Sequence, residues 1–123
     1  MLHMQHKLVH CTGVAVAQAA VPQLMAALKD IYLNTRCRAA SALANSGQDS
    51  RTWMPVMLEL VRHKESYVRR DAIYMLGRIG TKAHGAVPPL LTALADNNEW
   101  VRNVAAEALK KIDPEAAAKA GVK

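Results

Sequence analysis

The residues nearest to metal chemistry are three histidines close to the N-terminus. His3, His6 and His10 stand at i, i+3 and i+7, so one helix would carry all three on one face. His6 and His10 form the i, i+4 pair that can chelate a divalent cation, with Cys11 alongside. No carboxylate adjoins them in sequence, so the set falls short of the ligands of a catalytic centre and reads as structural or adventitious. Cys37 lies between Arg36 and Arg38, whose charges favour a thiolate. No base partner for it can be named, and an inert, partly covered thiol is the simpler reading. His63 and His84 fall in connecting segments and read as turn residues. The chain has no phosphate loop, no nucleophile elbow and no paired acids at a meaningful spacing. The sequence therefore predicts no catalytic residue, no resident metal and no cofactor.

What positions these residues is clearest at residues 87 to 113. Pro88 and Pro89 suit a first helical turn, where a missing N–H costs little. Val87, Leu90, Leu91 and Leu94 then share one face. After the polar turn at Asp96-Asn97-Asn98, a second stripe runs through Val101, Ala105, Ala108, Leu109 and Ile112. Neither helix can bury its apolar face alone. The missing faces lie upstream, because the pattern recurs every 33 residues without a gap. Pro22, Pro55 and Pro88 keep this period, as do Arg36, Arg69 and Arg102, Leu43, Leu76 and Leu109, and Ala39, Ala72 and Ala105. The apolar sets Leu24/Met57/Leu90, Met25/Leu58/Leu91 and Leu28/Val61/Leu94 follow it too. Each unit is a helix, a turn and a second helix, closed by Gly13, Gly47, Gly80 or Asp113-Pro114.

The motif Val21-Pro22-x-Leu24, Asp30, Arg36 and Ala39-Ala40-x-Ala42-Leu43, repeated as Val87-Pro88-x-Leu90, Asp96, Arg102 and Ala105-Ala106-x-Ala108-Leu109, resembles the HEAT-like repeats of short bacterial type, as in phycobilisome lyases. The middle unit departs from it in part: His63 replaces the Asp, and Ile73 and Met75 replace Ala. The resemblance implies an all-α solenoid of about three helical hairpins plus an N-terminal helix. It divides the single domain 1–123 into a half-repeat 1–13, repeats 14–46, 47–79 and 80–112, and a tail 113–123 that adds a helical turn. The half-repeat marks either the last part of a longer array or a small protein with one incomplete unit.

The repeated small and charged residues have architectural explanations. Alanine at one column lets helices approach closely, as a stack requires. Asp30 and Asp96 sit six residues before Arg36 and Arg102, so the acid can cap the next helix and the arginine can reach an Asp of its own or a neighbouring unit. Asp30, Arg36, Arg69, Asp96 and Arg102 are thus expected to form a structural ladder. In the family layout the second helices line the concave face. There Tyr67, Arg70, Tyr74 and Arg78 form one stripe, with Arg38 in the unit before and Trp100 and Lys111 in the unit after. Tyr, Trp and Arg are the types that dominate binding hot spots.

Those seven residues are the expected contact set of a non-catalytic scaffold that binds another protein. Two alternatives belong to other classes: a subunit of a bilin lyase-like enzyme, which the resemblance allows, and a nucleic-acid-binding module, which aromatics interleaved with Arg allow. The net charge of +6 favours an acidic partner, but it is spread along the chain, and Asp71 and Glu107 on the same face weaken the nucleic-acid reading. Two cysteines outside any motif suggest reduced thiols in a cytoplasm. No segment is long enough for a membrane span. The unpaired N-terminal half-unit leaves an apolar side open to self-association.

Overall fold

The computed structural model describes residues 20–123. The candidate metal set His3, His6 and His10, and the half-repeat at 1–13, lie outside the described residues. Helices α1 (Val21–Ala27) and α2 (Leu33–Asn45) make the first hairpin, α3 (Ser50–Leu60) and α4 (Ser66–Ile79) the second. A 3-10 segment, Gly80–Ala86, leads into the third hairpin, α5 (Val87–Ala93) and α6 (Glu99–Ile112), and α7 (Pro114–Lys119) closes the tail. The all-α solenoid expected from the 33-residue period is the observed architecture. Among the described residues there is no strand.

The second helices form the spine. α4 packs on α2 and, most extensively, on α6. The columns responsible are those of the repeat. Leu43, Leu76 and Leu109 are fully buried, and Ala39, Ala72 and Ala105 are buried beside them. One glycine sets the distance at the α4–α6 crossing. A Cβ added to Gly77 would stand 3.2 Å from both Cα and Cβ of Ala108, so the two backbones meet with nothing between them. Gly77 is also the one place in α4 where glycine's low helix propensity is tolerated for packing.

The first helices are less uniform. α1 has no fully buried residue, whereas α3 buries Trp53, Met54, Met57 and Leu60. Part of the outer layer is supplied by the 3-10 segment, which packs against α3 with Ala83 and Ala86 buried. Met25 and Leu91, which the apolar period groups with the core, are exposed. Each follows the residue that faces the second helix, and one step along a helix turns the side chain by about 100°.

The prolines also part company. Pro22 and Pro88 lie in the first turn of their helices, but Pro55 lies inside α3. The cause is an earlier start: the Asp49 side chain accepts the Arg51 N–H at 2.8 Å and caps α3 more than a turn ahead of the proline. Trp53, one position before Met54 in that added turn, fills space left by alanine in the other units (Ala20, Ala86), and its indole N–H donates to the Gln48 carbonyl at 3.3 Å.

Helix ends follow their sequence signals. Gly47 (φ 87°) ends α2 in a Schellman arrangement, with the Gln48 N–H on the Leu43 carbonyl (3.1 Å) and the Gly47 N–H on that of Ala44 (3.2 Å). Asp113 separates α6 from α7. Its carboxylate accepts the Ala116 N–H at 3.0 Å and approaches His84 Nε2 at 3.0 Å, and these two contacts, in that order, hold it below the usual carboxylate range.

The Gly77–Ala108 contact generates a direct test. Gly77→Val should lower unfolding free energy by about 1–3 kcal/mol, through overpacking at a site where backbone, not a flexible tip, is in the way. Urea denaturation monitored by circular dichroism measures this, and an unchanged midpoint would refute the close-approach argument.

Candidate functional site

Two sets of side chains were expected to matter, and they lie on different parts of the stack. The first is at the turns. Arg69, on α4, crosses to the next unit and grips Asp96 with two parallel bonds, Nε to Oδ2 at 2.9 Å and Nη2 to Oδ1 at 3.0 Å. The same guanidinium donates back to its own turn, to the carbonyls of His63 (2.8 Å) and Lys64 (3.0 Å). Asp96 in turn accepts the Asn98 N–H at 2.9 Å. One arginine thus fastens the turn of its own unit to the turn of the next. Arg69, then its own burial and the Asn98 N–H, act on the Asp96 carboxyl, with the net result that it is held below the ordinary carboxylate range.

Arg102 repeats half of this pattern, donating to the Asp96 carbonyl at 2.7 Å. Arg36 departs from it. The residue it would meet in the next unit is His63, not Asp, so it finds Glu59, one helical turn earlier, at 3.5 Å. Its Nε is buried without a hydrogen-bond partner among the described residues. His63 keeps the other task of the missing acid: its Nδ1 accepts the Glu65 N–H at 3.0 Å, as Asp30 Oδ1 accepts that of Tyr32 at 2.8 Å. The substitution therefore preserves the turn and gives up the bridge between units. Among the described residues, Arg69 is the arginine of the three whose side chain pairs with an Asp carboxylate.

The second set lies along α2, α4 and α6. Tyr67, Tyr74 and Trp100 are 53%, 52% and 64% exposed. Arg38, Arg78 and Lys111 are exposed and Arg70 is half-buried. Two of these residues meet across units: the Arg70 guanidinium carbon stands 5.5 Å from the Trp100 ring centre, a cation–π contact between α4 and α6. Arg70 also reaches Asp71 at 3.2 Å. Tyr74 stands between two shallow clefts of about 200 Å³ each. One, between α2 and α4, is lined by Asn34, Cys37, Arg38, Asp71, Tyr74 and Met75. The other, between α4 and α6, is lined by Tyr74, Gly77, Val104, Glu107, Ala108 and Lys111. Sequence reasoning did not single out Ile31 and Tyr32 in the first turn, which are also strongly exposed, nor Glu59.

Cys37 does not behave as its flanking arginines suggest. It is buried, its Sγ faces the Asp71 carbonyl at 4.0 Å, and burial first, then the Asp71 charge, push its pKa up to about 11 against a smaller opposing effect of Arg38. The thiol stays protonated at neutral pH and is no nucleophile. His63 and His84 serve the turns described above. Among the described residues no three His, Cys, Asp or Glu side chains group as a metal site. No described helix is long and apolar enough to cross a membrane.

Helical hairpins in register, with alanine columns between their second helices and an Arg–Asp bond from turn to turn, are now joined by a match to the family model for HEAT repeats over residues 21–110. The chain belongs to the HEAT repeat family. No curated protein matches the sequence. The HEAT assignment gives the spine and its ladder residues an architectural meaning. HEAT repeats generally mediate protein–protein interaction, and their scaffold is typically non-catalytic.

The bridge between turns can be tested with a pH axis. Arg69→Met should cost about 1.5–3 kcal/mol at neutral pH, the range for a hydrogen bond to a charged group. The folded pKa of Asp96 is depressed, so the pair's contribution is complete above the unfolded value near 3.9 and is lost as pH falls through the folded value. In urea titrations the gap between wild type and variant should therefore narrow as pH falls below about 4, without closing, because the Arg69 bonds to the His63 and Lys64 carbonyls do not titrate; a gap that stays constant with pH would contradict this. At the broken bridge, His63→Asp should raise stability by about 1 kcal/mol by giving Arg36 a carboxylate. His63→Asn, which can cap the turn without charge, should bring no such gain.

Proposed function

We propose that this HEAT-repeat chain is a non-catalytic scaffold that holds a partner protein on the face formed by α2, α4 and α6, the concave one in the family layout. One observation carries the reading. Tyr67, Tyr74 and Trp100 follow one another along this face and are each more than half exposed. Trp53, which serves the core, is by contrast 1% exposed. Large aromatics held in water on rigid helices, with arginines beside them, are instead the composition of an interaction hot spot. Rigid helices also keep the ordering cost of binding low.

The surrounding features are consistent with that role. The clefts of about 200 Å³ are smaller than the 300–1,000 Å³ usual for small-molecule sites, so they suit side chains of a partner better than a free metabolite. A buried, protonated Cys37 thiol fits a reducing cytoplasm.

The test is quantitative capture of host-cell proteins on immobilised wild type and on the triple variant Tyr67→Ala, Tyr74→Ala, Trp100→Ala. Circular dichroism should show an intact helical fold, because all three side chains are exposed. Specific capture should fall at least tenfold, the loss of about 1.4 kcal/mol or more expected when hot-spot aromatics are truncated. A folded triple variant that retains its partner at the wild-type level would sink the proposal.

A further inference from the structure

The charges on the α2–α4–α6 face do not cancel. Its charged residues are Arg38, Arg70, Asp71, Arg78, Glu107 and Lys111. Both acids are already engaged, Asp71 with Arg70 at 3.2 Å and Glu107 with Lys110 at 3.0 Å. Arg38, Arg78 and Lys111 have no ion pair among the described residues. Three uncompensated cations therefore stand on this face. Two of them edge a cleft: Arg38 the one between α2 and α4, and Lys111 the one between α4 and α6. Arg78 follows Tyr74 by one helical turn on the shared wall. Each cleft has an apolar part, Cys37 and Met75 in the first, Gly77, Val104 and Ala108 in the second.

The clefts lie between successive pairs of second helices, α2 with α4 and α4 with α6. Neighbouring packed helices lie about 8–10 Å apart, and a chain extended in the polyproline II form advances about 3.1 Å per residue with three residues per turn, so side chains three residues apart share one side and span about 9 Å. A helical ligand would need anchors about seven residues apart for the same span, so the spacing of the selected consensus separates the two forms. We infer that the occupant of this face is an extended acidic peptide segment, with two apolar side chains three residues apart that enter the two clefts on either side of Tyr74, and carboxylates that meet Arg38, Arg78 and Lys111. This rests on the scaffold reading above and specifies its partner. A peptide fits better than a nucleic-acid strand because each cleft has an apolar part that takes a side chain, and three free cations are few for tracking phosphates.

The probe is a peptide obtained by displaying random 12-residue sequences, selecting on the whole wild-type chain and synthesising the consensus with a fluorescent label. Anisotropy then measures its binding to wild type, to Arg78→Glu/Lys111→Glu and to the milder Arg78→Gln/Lys111→Gln. The expected consensus is acidic with two apolar residues three apart. Its affinity should fall at least tenfold in the charge-reversed variant, fall less in the neutral one, and weaken with added salt in wild type. A consensus without carboxylates, no enrichment at all, or equal binding to a folded charge-reversed variant overturns the inference. So does a labelled 12-nucleotide single strand that binds wild type more tightly than the peptide. If the peptide fails while the triple aromatic variant still loses its captured partner, the scaffold reading stands and only the extended acidic occupant falls. If that variant keeps its partner as well, both fall.

Discussion

The fold depends on how closely α4 can approach its neighbours. A HEAT-like stack has no sheet to hold its layers in register, so the lateral spacing of the second helices must come from side-chain size. Gly77 against Ala108, and the buried column Ala39, Ala72 and Ala105, set that spacing to near backbone contact at the α4–α6 crossing. Everything else follows from it: the leucine column Leu43, Leu76 and Leu109 fills the space beneath, and the Arg69–Asp96 bond closes only because the turns of successive units lie side by side.

Much of this was legible before any coordinates. Repetition in one register averages over the ambiguities of single helices, and the period of 33 located the hairpins, their glycine ends and the arginine column together. The misreadings have physical causes. A repeat alignment treats Pro22, Pro55 and Pro88 as equivalent, but Asp49 is a stronger start signal than a proline and moved the beginning of α3 ahead of Pro55. Met25 and Leu91 match the apolar pattern by type, yet short helices offer one covered stripe, and these side chains fall beside it. Cys37 is not among them: its flanking charges favour a thiolate, but burial is the larger effect, in line with the inert thiol read from the sequence.

The candidate face was less legible than the scaffold. Periodicity separates the buried side of a helix from the exposed one, so Tyr67, Tyr74 and Trp100 were placed outward by elimination. It says nothing about contacts between exposed residues of different units. The pairing of Arg70 with Trp100, the retreat of Arg36 to Glu59 and the meeting of His84 with Asp113 all join positions brought together by the stacking, and no local spacing encodes them. Most departures gather in unit two, which among the described repeats is the one with neighbours on both sides.

The contact between Arg70 and Trp100 has a consequence for the kinetics of encounter. Arg and Trp are long or bulky side chains that normally sample several rotamers in water. Here Arg70 is held between the indole ring and the Asp71 carboxylate, and the ring is leaned upon from one side. A partner landing on this corner meets a surface that is already in shape. Association then resembles the docking of two rigid bodies, with little waiting for side chains to rearrange.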